Sequence, residues 1–218
     1  KEMLQRTRGI ALKVTKYSEN SVVAQIYTEY LGLQSYLIPG ARKPKAKIHA
    51  NLLQPLHLLD MVVYVKENGS LQRIKEAQAS PSLKTIPLDI QKSAVSMFLN
   101  EVLFKVLKHQ AADPHLYHFI HQSILWLDET TGSISNFHLC FLMKLSRFLG
   151  YTPTTTAEVK PYFDLVEGIF TAYAPAHTYV LQEPHTSIFH GILTANYDES
   201  QALIINHSDR IYLLQQII

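Results

Sequence analysis

Between Arg8 and Lys16 the apolar Ile10, Leu12 and Val14 alternate with Ala11, Lys13 and Thr15, the period of two that puts one face of a strand in a core and the other in water. A polar Ser18-Glu19-Asn20 follows, then residues 21 to 30, rich in Val, Ile, Tyr and Thr, and Gly32 separates these from a third run over 33 to 38. Residues 52 to 66, with Pro55 marking a bulge or an edge, and residues 71 to 78 flank an Asn68-Gly69 turn. Five short strands in roughly 75 residues predict a small closed barrel, and the OB-fold is its five-stranded version. After Ser80-Pro81 and Pro87 the period changes. Residues 88 to 109 carry Ile90, Ala94, Met97, Phe98, Val102, Leu103, Val106 and Leu107 at helical spacing without proline or glycine, which predicts a central helix. Asp113-Pro114 caps and opens a second helix through Trp126 and Leu127. Ser135 is expected to cap a third, which stops at Gly150. Residues 152 to 186, with four prolines, read as loop with at most short strands, and helices near 187 to 195, 199 to 206 and 209 to 218 complete the chain. The expected fold is α+β: an OB barrel over residues 1 to 79 and a mainly helical domain over 80 to 218.

Composition narrows the function classes. The chain of 218 residues is 47% apolar, enough for a packed core. Its longest nearly apolar stretch, 56 to 65, contains His57 and Asp60 and falls far short of the roughly 20 residues that cross a bilayer. Arg6, Arg8 and Lys13 interrupt the start before any leader-like apolar core. The single cysteine, Cys140, permits no internal disulfide and fits a reducing compartment, so a cytoplasmic location is expected. In its apolar helix Cys140 reads as a small buried hydrophobe. The net charge of +2 is unevenly spread: residues 1 to 80 hold twelve Lys or Arg against six acids, the remainder eight against twelve. A split of +6 against −4 points the first part at a polyanion.

The densest charge lies in "IPGARKPKAKIH", residues 38 to 49, where Arg42, Lys43, Lys45 and Lys47 fall within six positions and Pro39 and Pro44 stiffen the chain. A positive groove on a barrel can follow a phosphate backbone and release counterions as it binds; a solvated loop kept basic for solubility is the plainer reading. Single-strand binders of this fold also stack bases on exposed rings. Among Tyr17, Tyr27, Tyr30 and Tyr36, the alternation of residues 33 to 37 places Tyr36 outward with Gln34, opposite Leu33 and Leu37. His115, His118 and His121 share a helical spacing that a metal could use, but no carboxylate lies among them. No phosphate-cradling "GxxxxGK", no "GxGxxG" and no nucleophile elbow occurs. No enzymatic activity and no cofactor are expected.

Taken in order, Gly9-Ile10-Ala11-Leu12, Tyr17-Ser18-Glu19-Asn20-Ser21, Gly32, Pro39-Gly40-Ala41-Arg42-Lys43, Leu53-Gln54-Pro55 and Leu149-Gly150-Tyr151-Thr152-Pro153 resemble RecO, the bacterial recombination mediators. The resemblance covers most of the chain and is densest over residues 8 to 60. It implies an N-terminal OB barrel, a C-terminal helical domain and a non-enzymatic role: binding single- and double-stranded DNA, promoting annealing, binding the acidic tail of single-stranded DNA-binding protein and, with RecR, assisting RecA loading in recombinational repair. The matching Gly40-Ala41-Arg42-Lys43 carries a DNA-contacting role to Arg42 and Lys43; charge and proximity extend the expected site to Lys45, Lys47, Arg6, Arg8, Lys13, Lys16 and Tyr36. Many relatives place zinc-binding cysteine pairs after the "LGY.P" segment. Here Thr154, Thr155, Thr156, Ala157 and Glu158 stand there, so zinc does not carry over, and Tyr162, Phe163, Phe170 and Tyr173 are the available anchors. Met3 reads as a natural start behind two extra residues, and relatives are expected to continue past Ile218.

In the third helix, "FLMKLSRFLGY" sets Lys144 and Arg147 on one face beside Phe148. A basic rim around an apolar notch suits an acidic, aromatic-ended peptide, which makes these three the expected partner site. Two other classes compete with a DNA mediator: an adaptor whose basic loop holds an acidic protein segment, and a hydrolase whose groups converge only in space.

Overall fold

The computed structural model describes residues 2 to 67 and 69 to 218. The expected turn at Asn68-Gly69 thus lies partly outside the described residues. The chain divides into two compact units, one ending at Glu129 and the other beginning at Thr130. The change from strands to helices falls near residue 80, as the periodicity indicates, but the first two helices belong to the same compact unit as the barrel.

In the first unit, β1 (Met3–Lys16), β2 (Val22–Thr28), β3 (Gly32–Ile38), β4 (Leu58–Val65) and β5 (Gln72–Ala79) close into a barrel in the order β1-β2-β3-β5-β4. All pairings are antiparallel except the short parallel contact between β3 and β5. The first half of β1 pairs with β4 and the second half with β2, with a bulge between Ala11 and Lys13. A bulge bends and twists a strand, which lets one long strand serve both neighbours. Inside lie Val22, Ala24, Ile26, Tyr36, Ile38, Leu59, Met61 and Val63. At Gly9 the wall is so close that a Cβ would sit 2.5 Å from the Met61 methyl and 2.6 Å from an Ile26 methyl. The fourth strand begins later than its apolar run suggests. Residues Ala50–Leu53 form one 3-10 turn, Pro55 has no N–H to offer a ladder, and Leu56 takes φ +61 with its side chain fully buried.

Helix α1 (Ile90–Leu107) starts where the Asp89 side chain accepts from the backbone N–H of Gln91 and Lys92. Its Asn100 amide donates to the Leu12 carbonyl at 2.7 Å, fixing it to the β1 bulge. The helix is not central. Leu99, Leu103 and Leu107 are buried, whereas Ile90 and Met97 face water. Asp113 accepts from His115 and Leu116 and opens α2 (Pro114–Glu129). The connection before α1 is fastened by Asp128, whose carboxylate receives the backbone N–H groups of Lys84, Thr85 and Ile86 at 2.8 to 3.1 Å. Burial would raise its pKa, but these donors hold it below the ordinary carboxylate value.

In the second unit, α3 (Phe137–Phe148) follows Asn136 rather than Ser135. The Ser135 hydroxyl meets Ser133, and the Asn136 amide donates to the Ser200 and Leu203 carbonyls. Gly150, at φ +89, ends α3 in a Schellman turn, with Tyr151 N–H on the Ser146 carbonyl and Gly150 N–H on that of Arg147. Residues 152 to 186 hold a three-stranded sheet, β6 (Tyr162–Asp164), β7 (Ile169–Thr171) and β8 (Val180–Gln182). Phe163 anchors it against Phe170 and against Phe189 of α4 (His185–Thr194), with ring centroids 4.8 and 4.6 Å apart. Tyr173, expected to share that duty, is exposed. Short α5 (Tyr197–Ser200) and α6 (His207–Ile217) complete the unit; α5 stops well short of the predicted 206.

Candidate nucleic-acid interface

Chain leaving β3 reverses at Gly40, whose φ of +66 suits a residue without a Cβ. Ala41 and Ile48 are both buried in the barrel core, and the Ala50 N–H donates to the Ala41 carbonyl at 2.9 Å, closing the loop between them. Arg42, Lys43, Lys45 and Lys47 all lie between these two anchors, and all four are exposed. Arg42 is tied to the turn between β1 and β2: its backbone N–H donates to the Asn20 carbonyl and its guanidinium to the Glu19 carbonyl at 3.1 Å. Among the described residues none of the four cations forms an ion pair with a carboxylate. Like charges this close in sequence lie within or near a Debye length of about 8 Å at physiological salt, so the loop gains from any polyanion that covers it.

Strand register places more groups at the same end. Lys16 pairs with Val22, which pairs with Ile38, so the end of β1 lies beside the root of the basic loop. Tyr17, the next residue, is 62% exposed. Arg73 of β5 is exposed and pairs with Leu37 of β3. Sequence reasoning weighed Tyr17 but preferred Tyr36, and it did not single out Arg73. The cue at Tyr17 is an aromatic residue directly between a strand and a polar turn, and at Arg73 a cation in the strand that closes on β3.

Several expected groups are placed otherwise. The Tyr36 ring is fully buried and its hydroxyl has no partner, so it is not a stacking platform. The inner face of β3 is the one that carries Gln34, whose amide is satisfied by the Leu31 carbonyl at 2.6 Å, and this polar inward residue reverses the apparent parity of the strand. Arg8 is half-buried and bidentate to Glu29, with two contacts of 2.9 Å, and its guanidinium lies 5.3 Å from the Tyr117 ring centroid. The hydrogen bond from Arg8, ahead of their Coulombic attraction, draws the Glu29 pKa down despite partial burial. Arg6 is exposed but bidentate to Asp60, at 3.2 and 2.5 Å. These two arginines clasp β1 to its neighbours, and their charge is already matched. Lys13 is exposed, with its ammonium 5.0 Å from the Phe104 ring centroid.

The histidines of α2 separate. His115 and His118 are exposed, while His121 is buried beside Tyr117 and pushed down to about 4 by desolvation, with Arg8 and His118 adding to the effect. Among the described residues no group of three or more His, Cys, Asp or Glu side chains is placed to hold a metal ion.

In the second unit, Lys144 and Arg147 do share a face of α3, and both have internal work. The Arg147 guanidinium donates to the Leu193 carbonyl at the C-terminal end of α4, where a cation complements the helix dipole. The Lys144 ammonium lies 5.6 Å from the Tyr197 ring centroid. Phe148 is 39% exposed and Tyr151 75% exposed, leaving an apolar surface beside these cations.

Comparison with known proteins agrees with both halves of this architecture. The family described as "Recombination protein O N terminal" matches residues 3–82, and "Recombination protein O C terminal" matches residues 87–215. The chain belongs to the RecO family. It is 37% identical to the DNA repair protein RecO of Bacteroides fragilis, over 95% of this chain and 87% of the relative. It is 34% identical to that of Phocaeicola vulgatus, over 95% and 87%, and 33% identical to that of Flavobacterium johnsoniae, over 98% and 89%. The N-terminal match spans the barrel with its basic loop, and the C-terminal match spans α1 to α5 and most of α6. Among the described residues of this RecO-family chain, no helix is long and apolar enough to cross a membrane.

Proposed function

We propose that this protein is a non-enzymatic DNA-binding mediator of recombinational repair. The observation that carries the reading is the loop of Arg42, Lys43, Lys45 and Lys47, suspended between buried Ala41 and Ile48 with no carboxylate partner among the described residues. Lys16, Tyr17 and Arg73 extend the cationic rim, and Tyr17 offers an exposed ring. Phosphates neutralise the loop and release counterions, and a ring stacks on any base, so both single and double strands are held without sequence preference. Two complementary strands screened by one cationic surface lose much of their mutual repulsion, so annealing follows with no covalent step. In the second unit, Lys144, Arg147 and Phe148 form the surface that takes the acidic, aromatic-ended tail of single-stranded DNA-binding protein, and RecR joins the same cytoplasmic assembly to assist RecA loading.

Titration with labelled oligonucleotides of several lengths at two salt concentrations tests this reading. Length-dependent, salt-sensitive binding together with accelerated annealing is the expected result. An adaptor for acidic proteins is the second reading, favoured by the same unpaired cations; it predicts binding to an acidic peptide and no dependence on oligonucleotide length.

A further inference from the structure

Phe104 of α1 is flanked by two ammonium groups, Lys13 from β1 at 5.0 Å and Lys108 at the α1 C-terminus at 4.3 Å from its ring centroid. Those distances put the two charges less than about 10 Å apart, near the Debye length at physiological salt. Both lysines are exposed, and neither forms an ion pair with a carboxylate among the described residues. Lys105, also exposed, stands three positions before Lys108 and hence on the neighbouring surface of the helix; Glu101, four before Lys105, is the acid on that side. One ring thus gathers like charges that would otherwise disperse.

The position of this cluster gives it a use. Lys13 pairs with Gln25, which pairs with Ser35, and the next outward row holds Thr15, Val23, Leu37 and Arg73. The inward alternates Val22, Ala24 and Ile26 are core, so these rows form the outer face of β1, β2 and β3. One end of the face meets the rim built by Lys16, Tyr17 and the basic loop. Towards the other end lies the link between α1 and α2, where Ala112 packs on Gly32 and Asp113 meets the Tyr27 hydroxyl. From Lys16 back to Lys13 is three residues of strand, about 10 Å.

We infer that Lys13, Lys105 and Lys108 form a second phosphate-contact point for single-stranded nucleic acid, reached when a strand held at the basic loop continues over the outer face of β1, β2 and β3. The inference rests on the DNA-binding reading above. It specifies that the binding path leaves the rim and ends at α1, with polar Thr15, Gln25 and Ser35 beneath it. A short strand fills the rim alone, and only a longer one spans both contacts.

The test compares oligothymidylates of about 6 and about 20 nucleotides, one near the low end of single OB-fold site sizes and one beyond their upper end, on the intact protein and on the Lys13→Gln/Lys105→Gln/Lys108→Gln variant. For the long strand the log-log salt slope should become shallower by about 2, at about 0.7 per lost contact, with no change for the short strand. Lys13→Arg/Lys105→Arg/Lys108→Arg should restore the long-strand slope. An unchanged slope on the long strand, or an equal loss on both lengths, overturns the second contact point while leaving the loop reading intact. If the intact protein shows no salt-sensitive DNA binding at all, the loop reading fails and this inference falls with it.

Discussion

The basic loop at 42 to 47 and the basic end of α3 at 144 to 148 look alike as strings of residues, with cations spaced among small or apolar neighbours. In the folded chain they differ in what their charges touch. The loop is pinned by Ala41 and Ile48, residues that carry no charge, so its lysine heads are left free of carboxylates among the described residues. At α3 the cations themselves hold the fold: Arg147 closes the end of α4, and Lys144 rests on Tyr197. The lesson is that a cation is available to a ligand when apolar neighbours do the anchoring, and is partly spent when it is the anchor.

The contrast can be broken most forcefully by reversing charge. Arg42→Glu/Lys43→Glu/Lys45→Glu/Lys47→Glu should weaken single-strand binding on the order of 10³-fold at physiological salt, since about four phosphate contacts become repulsions. Lys144→Ala/Arg147→Ala should leave it within about twofold and instead lower the unfolding midpoint. A fluorescence anisotropy titration beside a urea melt separates the two.

Asp128 and Arg8 sharpen the contrast from the structural side. Asp128→Ala removes the acceptor of three backbone N–H groups, of which that of Ile86 is buried, and should cost about 2 to 3 kcal/mol in urea unfolding, with DNA affinity unchanged. Because the folded-state pKa of Asp128 is depressed, its contribution is present above about pH 4 and is lost as the pH falls through the folded value. The variant should accordingly show a flatter acid limb of stability. Arg8→Ala leaves Glu29 facing Tyr117 without its guanidinium and should cost about 1 to 2 kcal/mol, again with little change in binding, as expected of a cation that is already matched.

The smallest effects concern the two tyrosines. Tyr17→Ala should weaken single-strand binding by about 1 kcal/mol, the low end for one stacked base. Tyr36→Phe should leave binding unaltered and stability equal or slightly higher, because the hydroxyl it removes is buried without a partner. Parallel titrations of the two variants would expose an error if Tyr36→Phe were the weaker binder.

Much of the architecture is legible in the residues because local rules decide it. The strand at β1, the Asp113-Pro114 helix start and the Gly150 stop are properties of a few adjacent positions, and each appears where its pattern predicts. The strict alternation within β1 does not hold: at the bulge between Ala11 and Lys13 the chain buries Ile10, Ala11 and Leu12 in succession and leaves Val14 exposed. The charge state of the site is not local. Arg6 finds Asp60 across 54 positions and Arg8 finds Glu29 across 21, and only the closed barrel brings them together. The parity of β3 is hidden for a related reason: Gln34 points inward because a carbonyl three residues away meets its amide, so polarity does not mark the wet face. Ser135 offered a plausible cap, but the position before α3 is held by Asn136 through the distant Ser200 and Leu203 carbonyls.

The central claim is that the loop cations, rather than the β1 arginines, are the ones a phosphate backbone neutralises. The most direct measurement is the salt dependence of single-strand affinity for the intact protein, for Arg6→Ala/Arg8→Ala and for Arg42→Ala/Lys43→Ala/Lys45→Ala/Lys47→Ala. The loop variant should have a log-log slope shallower by about 2.8, four contacts at about 0.7 each, and the β1 variant the slope of the intact protein. A loop variant with an unchanged slope, or a β1 variant that loses as much as the loop variant, would contradict the claim.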